Sequence, residues 1–437
     1  MTHTVAPPPE HPASAGPVRL LSGWARTHQP TDWAAHSATY GPPPIPRRTR
    51  GQGDERLIGL VDQAGLRGRG GAAFPTARKL AEVRSGRGRA VVLANGCEGD
   101  PGSNKDHALL TLAPHLVIDG ILLAAHAVGA GETMLCVHRG DPLVHSLRAA
   151  IAQRPNEPLL PTVVEVPARY VSSADTALVN FLTNGTAKPT QKSPRPSQRG
   201  VRGRPTLVDN VETLAHIALI ARYGPEWFRT CGTATSPGST LITVGGAVRL
   251  PGVYEIELGV PLGHPLRLAG GPARPLQAVL IGGMGGRWLP MPAAHELPLT
   301  EEDCRAAGGR MGIAAITALP AGACGLHTTA RALRYLAEES AGQCGPCMFG
   351  LPAIADDMTD LATGDAAPED LARLRRRLGV IPGRGACAHP DAAVSLAATA
   401  LDVFADDLHA HLSGDPCPPG SAFPLALPRH RPDASHP

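Results

Sequence analysis

Between residues 56 and 229, short apolar runs alternate with helix-length stretches, and this alternation limits the possible fold more than any other feature. The runs at 89–95 (RAVVLAN), 133–138 (TMLCVH) and 162–166 (TVVEV) are rich in Val and Leu and have strand length. The stretches 109–128 and 143–151 read as helices between them. A chain that alternates in this way forms βαβ units, a sheet covered by helices. The most apolar stretch, 116–130, is shorter than a membrane span and carries Asp119 and His126. It reads as a buried core helix.

At 437 residues the chain has room for two or three domains. Residues 1–50, rich in Pro, Ala, Thr and His, offer too little apolar surface to offset their ordering entropy and read as a disordered tail. Residues 413–437, with Pro416, Pro418, Pro419 and Pro424, read the same way. The α/β pattern fills 51–235. Short strands with Gly/Pro punctuation mark 236–295, and 296–412 reads as helical. There Val394, Ala397, Leu401, Phe404 and Leu408 form one helical stripe, with Pro390 suited to a first turn.

A net charge of +3 argues against nucleic acid as a partner, and Arg373, Arg375, Arg376 and Arg377 read as one solvated helix face. No basic-then-apolar leader pattern opens the chain. Nine cysteines, an odd number without a secretory pattern, direct attention to metal before disulfides.

Three blocks carry chemistry. In Gly65-Leu66-Arg67-Gly68-Arg69-Gly70-Gly71-Ala72-Ala73-Phe74-Pro75-Thr76, followed by Lys79, glycines let the backbone approach a ligand. Their N–H groups can meet a phosphate, with Arg67, Arg69 and Lys79 adding positive charge. Asn95-Gly96-Cys97-Glu98-Gly99-Asp100-Pro101-Gly102-Ser103-Asn104-Lys105-Asp106 follows a predicted strand, where α/β sheets place ligands. Pro205-Thr206-Leu207-Val208-Asp209-Asn210-Val211-Glu212-Thr213-Leu214 is the third. Taken in order, these blocks resemble the NADH-binding flavoprotein subunit of respiratory complex I and related hydrogenase and formate dehydrogenase diaphorases. The similarity runs from about residue 56 to 412.

The resemblance implies an α/β flavin-binding domain, a β-grasp (SLBB-like) module and a C-terminal helical bundle. It implies a cytoplasmic oxidoreductase, peripheral to a membrane complex, that passes electrons from NAD(P)H through FMN to an iron–sulfur centre. The implied acceptor is a ferredoxin or a thioredoxin-like iron–sulfur subunit. Carried over by position, Gly68, Gly70 and Lys79 would hold FMN phosphate and sugar, while Asn95, Glu98, Tyr170, Asp209 and Asn210 would border the flavin. Phe74, Asp100, Asp175 and Lys192 would meet the nucleotide.

The departures are specific. Cys97 stands where the family has Asp, Asp100 where it has Glu, and Asp209 where it has Asn. Of two Glu after Tyr170, one becomes Ala174 and the other Asp175, and Arg195 replaces an aromatic. A carboxylate beside a ribose repels a 2′-phosphate, so these changes bear on nucleotide choice. Gly282, Gly283, Gly285 and Gly286 read as turn residues.

Cys344, Cys347 and the distant Cys387 match three of the family's four cluster thiolates, whereas Ala341 replaces the first. Three readings stay open. A 4Fe–4S or 3Fe–4S cluster persists on three thiols, with His389 a candidate for the open iron; the cluster is lost while the helices remain; or zinc sits on the cysteines and His389. The rival to an enzyme is a scaffold that keeps the fold without electron transfer.

Overall fold

The computed structural model describes residues 18–45, 54–154, 157–191 and 193–427. The alternation of the first half becomes a four-stranded, all-parallel sheet: β1 (Val91–Asn95), β2 (Glu132–His138), β3 (Thr162–Val166) and β4 (Thr206–Asn210). Their spatial order is β3-β2-β1-β4. The chain therefore moves outward from β1 to β3 and returns to the other side of β1. This reversal places a topological switch point between β1 and β4, and in open α/β sheets the crevice at the carboxyl ends there is where ligands bind.

The predicted strands at 89–95, 133–138 and 162–166 fall on β1, β2 and β3. The single helix expected over 109–128 is instead two, Lys105–Leu112 and Pro114–Val128, bent by 97°. Pro114 disfavours helical geometry at Ala113, which lies at φ −139°, ψ 51°. The second helix is buried almost throughout. Among the described residues no single helix is long and apolar enough to cross a membrane.

Two tail assignments need correction. Residues 18–45 carry helices Ser22–Thr27 and Trp33–Tyr40, and Leu20, Leu21 and Trp24 join the core of the α/β unit. The anchor is the fully buried Asp119, whose carboxylate takes His36 Nε2 at 2.8 Å and pairs with Arg154 and Arg222. Trp33 lies under the Arg154 guanidinium, 4.4 Å from ring centroid to carbon. A buried carboxylate needs such partners, and three of them lie far away in sequence. At the other end Leu425 is buried and Ala422 forms a β-bridge with Cys324. Residues 1–17, 46–50 and 428–437 of the expected tails lie outside the described residues.

A second sheet, ordered β6-β5-β9-β7-β8, follows. It comprises β5 (Ser239–Gly246), β6 (Gly252–Glu257), β7 (Leu276–Ile281), β8 (Arg287–Pro290) and β9 (Ala315–Pro320). The expected boundary at 295 was too early, because β9 inserts between β5 and β7 and completes the sheet. Side chains alternate across β7. Val279 and Ile281 face the core of this unit, while Ala278 and Leu280 join that of the following helices.

Those helices are Gly325–Glu338, Leu351–Thr363, Pro368–Val380, His389–Val403 and Ala405–Leu412. The stripe from Val394 to Leu408 is buried, although the chain bends at Phe404. Trp288 of β8 packs on Phe404 at 5.1 Å and donates its indole N–H to Thr329 Oγ1 at 3.0 Å, which ties the sheet to the helices. The arginine face is not simply solvated. Arg373 and Arg377 clamp the buried Asp357 of the neighbouring helix, and only Arg375 and Arg376 are exposed.

Candidate functional site

The glycine-rich block opens at Gly65, which ends helix Glu55–Ala64 in the left-handed region at φ 71°. The loop then closes on itself: Gly68 N–H donates to Phe74 O at 2.9 Å and Thr76 N–H to Leu66 O at 3.0 Å. Gly70 stands against the end of β4, where a Cβ would lie 3.3 Å from that of Asn210. Gly71 needs its φ of 98°, which L side chains rarely adopt.

Asn95 and Asn210 are paired across β1 and β4. The loop, the two asparagines and Asp209 therefore converge on the switch-point crevice. Lys79 reaches the same place, donating to Val208 O at 2.9 Å and Asp209 Oδ1 at 3.3 Å. Burial opposes its charge, yet Asp209 and Asp175 more than compensate and hold its pKa above the usual lysine value. Burial keeps Asp209 above the usual carboxylate range despite Lys79. Its second oxygen is buried with no hydrogen-bond partner among the described residues.

Beneath the crevice lies a buried charge cluster that the sequence reading left unassigned. Lys105 is 1% exposed and donates to Asp106 Oδ1 at 2.8 Å, Glu212 Oε2 at 2.8 Å and Asn210 Oδ1 at 3.2 Å. Asn210 Nδ2 in turn donates to Asp106 Oδ2 at 2.7 Å. Burial alone would raise the Glu212 carboxyl, but Lys105 overrides it and holds the group far below its ordinary value. One ammonium cannot satisfy two carboxylates equally, and Asp106 is left raised by burial. The amide that borders the crevice is thus fixed from below.

Glu98 turns back onto the first turn of helix Lys105–Leu112, accepting from Ser103 Oγ, His107 N–H and Asp106 N–H. Burial, with Asp106 nearby, pushes it up to about 7. Asp100 is also turned inward. It accepts from Gly102 N–H at 2.8 Å, Met284 N–H at 2.7 Å and the Tyr170 hydroxyl at 3.3 Å, and burial pushes it up to about 6. The 282–286 segment is therefore more than a turn. A Cβ on Gly283 would lie 2.5 Å from Asp100 Oδ2, so only glycine lets this loop close over the carboxylate.

Several expected contacts take other roles. The Arg69 guanidinium donates to Ser239 O at 3.1 Å and Pro237 O at 3.4 Å, and Arg67 pairs with Glu302. Neither arginine faces the crevice as the phosphate reading required; the carbonyls at the start of β5 and an acidic helix capture them. Cys97 is a buried, neutral thiol packed with Leu93 and Cys136, its pKa raised well above normal by burial. Phe74 is half-buried beside Arg78, Asp175 and Arg195 are exposed, and Lys192 lies outside the described residues.

The crevice fits FMN on three counts: a loop backbone free of side chains at Gly70, an unpartnered buried oxygen on Asp209, and the Lys79 ammonium. A cavity of about 40 Å³ beside the loop, lined by Arg69, Ser236 and Met311 among others, has room for little more than water.

The cysteine constellation lies between the ends of the helices. The Cys344 sulfur accepts from the backbone N–H groups of Cys347 and Ala386; burial raises its pKa, these bonds outweigh it, and the thiol sits below its usual value. Burial pushes Cys347 up to about 11, with Cys344 and Cys387 as neighbouring negative charges. Ala341 is a buried methyl where a fourth thiol was expected. His389 Nε2 donates to Leu336 O at 2.7 Å. Among the described residues these cysteines and His389 do not bring three donors within 4.8 Å of one another. A cluster spreads its irons and can be met by three thiolates at separate corners.

Residues 61–219 match the Nuo51 FMN-binding domain and residues 327–411 match the NADH-ubiquinone oxidoreductase-F iron–sulfur binding region. The F subunit of the NADH-quinone oxidoreductase from Streptomyces coelicolor is 32% identical over 389 residues, covering 85% of this chain and 86% of that one. Its counterpart from Salmonella typhimurium is 34% identical over 384 residues, covering 82% and 85%. An NAD+-reducing [NiFe]-hydrogenase in the H2-reduced state superimposes with a TM-score of 0.79 at 30% identity, over 91% of this chain and 66% of the hydrogenase chain. The chain belongs to the family of NADH-quinone oxidoreductase F subunits.

Proposed function

We propose that the protein is a diaphorase-type oxidoreductase that takes electrons from a nicotinamide nucleotide at FMN and passes them through an iron–sulfur centre to an iron–sulfur partner. The observation that carries this reading is the convergence of Gly70, Asn95, Asp209 and Asn210 at the β1–β4 switch point. Bound FMN supplies two-electron uptake with one-electron release; the protein orients and tunes it.

In this reading Gly70 and Lys79 hold the phosphate and ribityl chain, Gly68 shapes the loop by closing it on Phe74 O, and Asp209 Oδ2 accepts a hydroxyl. Asn95 and Asn210 frame the ring, while Glu98, bonded to helix Lys105–Leu112, and Tyr170, bonded to Asp100, support the loops behind them. Phe74, Asp175 and Lys192 meet the nucleotide, while Asp100 shapes the rim by holding the 282–286 loop. The second sheet serves as the β-grasp module and the helices as the cluster-bearing bundle. The partner approaches beside Cys347, where Met348 and Phe349 are 53% and 70% exposed. We place the protein at the periphery of a membrane complex on its cytoplasmic side.

Anaerobic flavin reduction by NADH and by NADPH tests the reading. Ala174 removes one carboxylate, and Arg195 adds a guanidinium able to pair a phosphate. The expected preference for NADH is below about a thousandfold, which corresponds to about 4 kcal/mol. A stricter preference would contradict this account of the site.

The cluster has its own test. With three thiolates, one iron lacks a protein sulfur, and the expected centre is labile or three-iron in character. Ala341→Cys is expected to raise iron and sulfide content after anaerobic reconstitution and to slow cluster loss in air. Unchanged iron content would mean that the pocket around residue 341 has closed.

A further inference from the structure

A second sulfur-containing group lies elsewhere in the helical part of the chain. Cys324, His411 and Cys417 each place one donor atom within 4.8 Å of the other two, and among the described residues they are the only such group. Cys324 and His411 are buried and Cys417 half-buried. Three separate pieces of backbone bring them together. Cys324 is the N-cap of helix Gly325–Glu338, its sulfur accepting from His327 N–H at 3.4 Å. His411 lies in the last turn of helix Ala405–Leu412. Cys417 belongs to the C-terminal segment that runs back along Cys324, where Cys324 N–H donates to Ser421 O at 2.9 Å and Phe423 N–H to Thr328 Oγ1 at 3.0 Å.

Two contacts set the His411 tautomer. The Cys417 backbone N–H donates to Nε2 at 3.0 Å, so Nε2 carries the lone pair. Nδ1 therefore carries the proton and donates to Leu361 O at 3.0 Å. Metal-bound imidazoles are held in this way, with the second nitrogen anchored to a carbonyl. Nε2 lies 3.8 Å from Cys324 Sγ. Tetrahedral zinc, with Zn–S about 2.3 Å and Zn–N about 2.0–2.1 Å, sets sulfur and nitrogen ligands roughly 3.5–3.8 Å apart. His327 Nε2 donates to Cys417 O at 3.3 Å, which holds the Cys417 backbone beside the site.

We propose that Cys324, His411 and Cys417 form a structural zinc site, separate from the iron–sulfur cysteines, that staples the C-terminal segment to the start of helix Gly325–Glu338. Soft thiolates and a neutral imidazole are zinc's donor set. Zinc takes the Nε2 lone pair now shared with the Cys417 N–H, the two thiols lose their protons, and a water completes the tetrahedron. The ion would join segments 87 residues apart in sequence, the separation of Cys324 and His411.

Metal analysis of the purified full chain, handled with reduced thiols, is the test. The expected result is about one zinc per chain, kept in Cys344→Ser/Cys347→Ser and lost in Cys324→Ser and His411→Gln. A strong chelator should lower Tm by at least about 5 °C in the protein that keeps zinc. Should the zinc-ligand variants fail to fold, Co²⁺ is titrated into zinc-stripped Cys344→Ser/Cys347→Ser protein. A thiolate-to-cobalt charge-transfer band with intense tetrahedral d–d bands then supports the site. Zinc below about 0.2 per chain with no such cobalt spectrum would overturn the proposal. So would zinc that follows Cys344 and Cys347, or a Cys324–Cys417 disulfide in the protein as isolated.

Discussion

Lys105→Met is expected to destabilise the α/β domain by about 3–5 kcal/mol, the usual cost of leaving a buried charge without its partner. Lys105 and Glu212 are 1% and 0% exposed. Besides Lys105, Glu212 accepts from Thr240 Oγ1 at 2.8 Å and Leu241 N–H at 3.1 Å, with His216 Nε2 at 3.7 Å and the Arg69 guanidinium at 3.9 Å as weaker partners. Without the ammonium, Glu212 must take up a proton or draw water into the core. Thermal unfolding should show Tm lower by roughly 10 °C. Lys105→Met/Glu212→Gln should recover part of the loss, with a coupling of at least about 1 kcal/mol, because the orphaned charge is gone. FMN affinity should fall in the single variant too, since Lys105 and Asp106 orient the Asn210 amide. A loss below about 1 kcal/mol with normal flavin binding would mean that the cluster neither supports the domain nor orients the crevice.

Gly70→Val is expected to weaken FMN binding at least about a hundredfold, or about 2.8 kcal/mol. A Cβ at this position already lies 3.3 Å from that of Asn210, closer than side chains normally pack. Two further methyls would fill the space through which the loop backbone meets a ligand, and β-branching favours strand geometry over this turn. Gly70 is exposed, so the far-ultraviolet circular dichroism and Tm should change little. Gly70→Ala, with one methyl, should give an intermediate loss. Binding in Gly70→Val within threefold of the parent protein would exclude this loop as the flavin cradle.

Local pattern carried much of the fold and of the crevice into the sequence. β1, β2 and β3 are compact Val/Leu runs between helices, and burial in a parallel sheet selects that composition. The loops at Gly65 and Asn95 are contiguous blocks whose glycines have direct geometric reasons. What the sequence could not show depends on partners far along the chain. Asp119 could be read as buried, but not that His36, 83 residues upstream, would draw the N-terminal helices onto it. Lys105 and Glu212 stood inside recognised blocks, yet their pairing across 107 residues appears only once β4 lies beside β1. Gly283 looked like any turn glycine until the loop closed on Asp100. Arg67 and Arg69 were misread for the same reason. Positive charge beside a glycine-rich loop suggests phosphate, but nothing local reveals the distant acceptors that take it.

The β1–β4 crevice is expected to hold FMN where a nicotinamide nucleotide can reduce it. The most direct test is an anaerobic spectrophotometric titration of the purified protein, supplied with FMN if isolated without it, by NADH. About one flavin per chain is expected, with ring fluorescence quenched on binding and the absorbance near 450 nm bleached by about one equivalent of NADH, since hydride transfer moves two electrons. Protein that stays colourless with added FMN, or binds FMN that neither NADH nor NADPH reduces, would contradict this expectation and leave a scaffold that has kept only the fold.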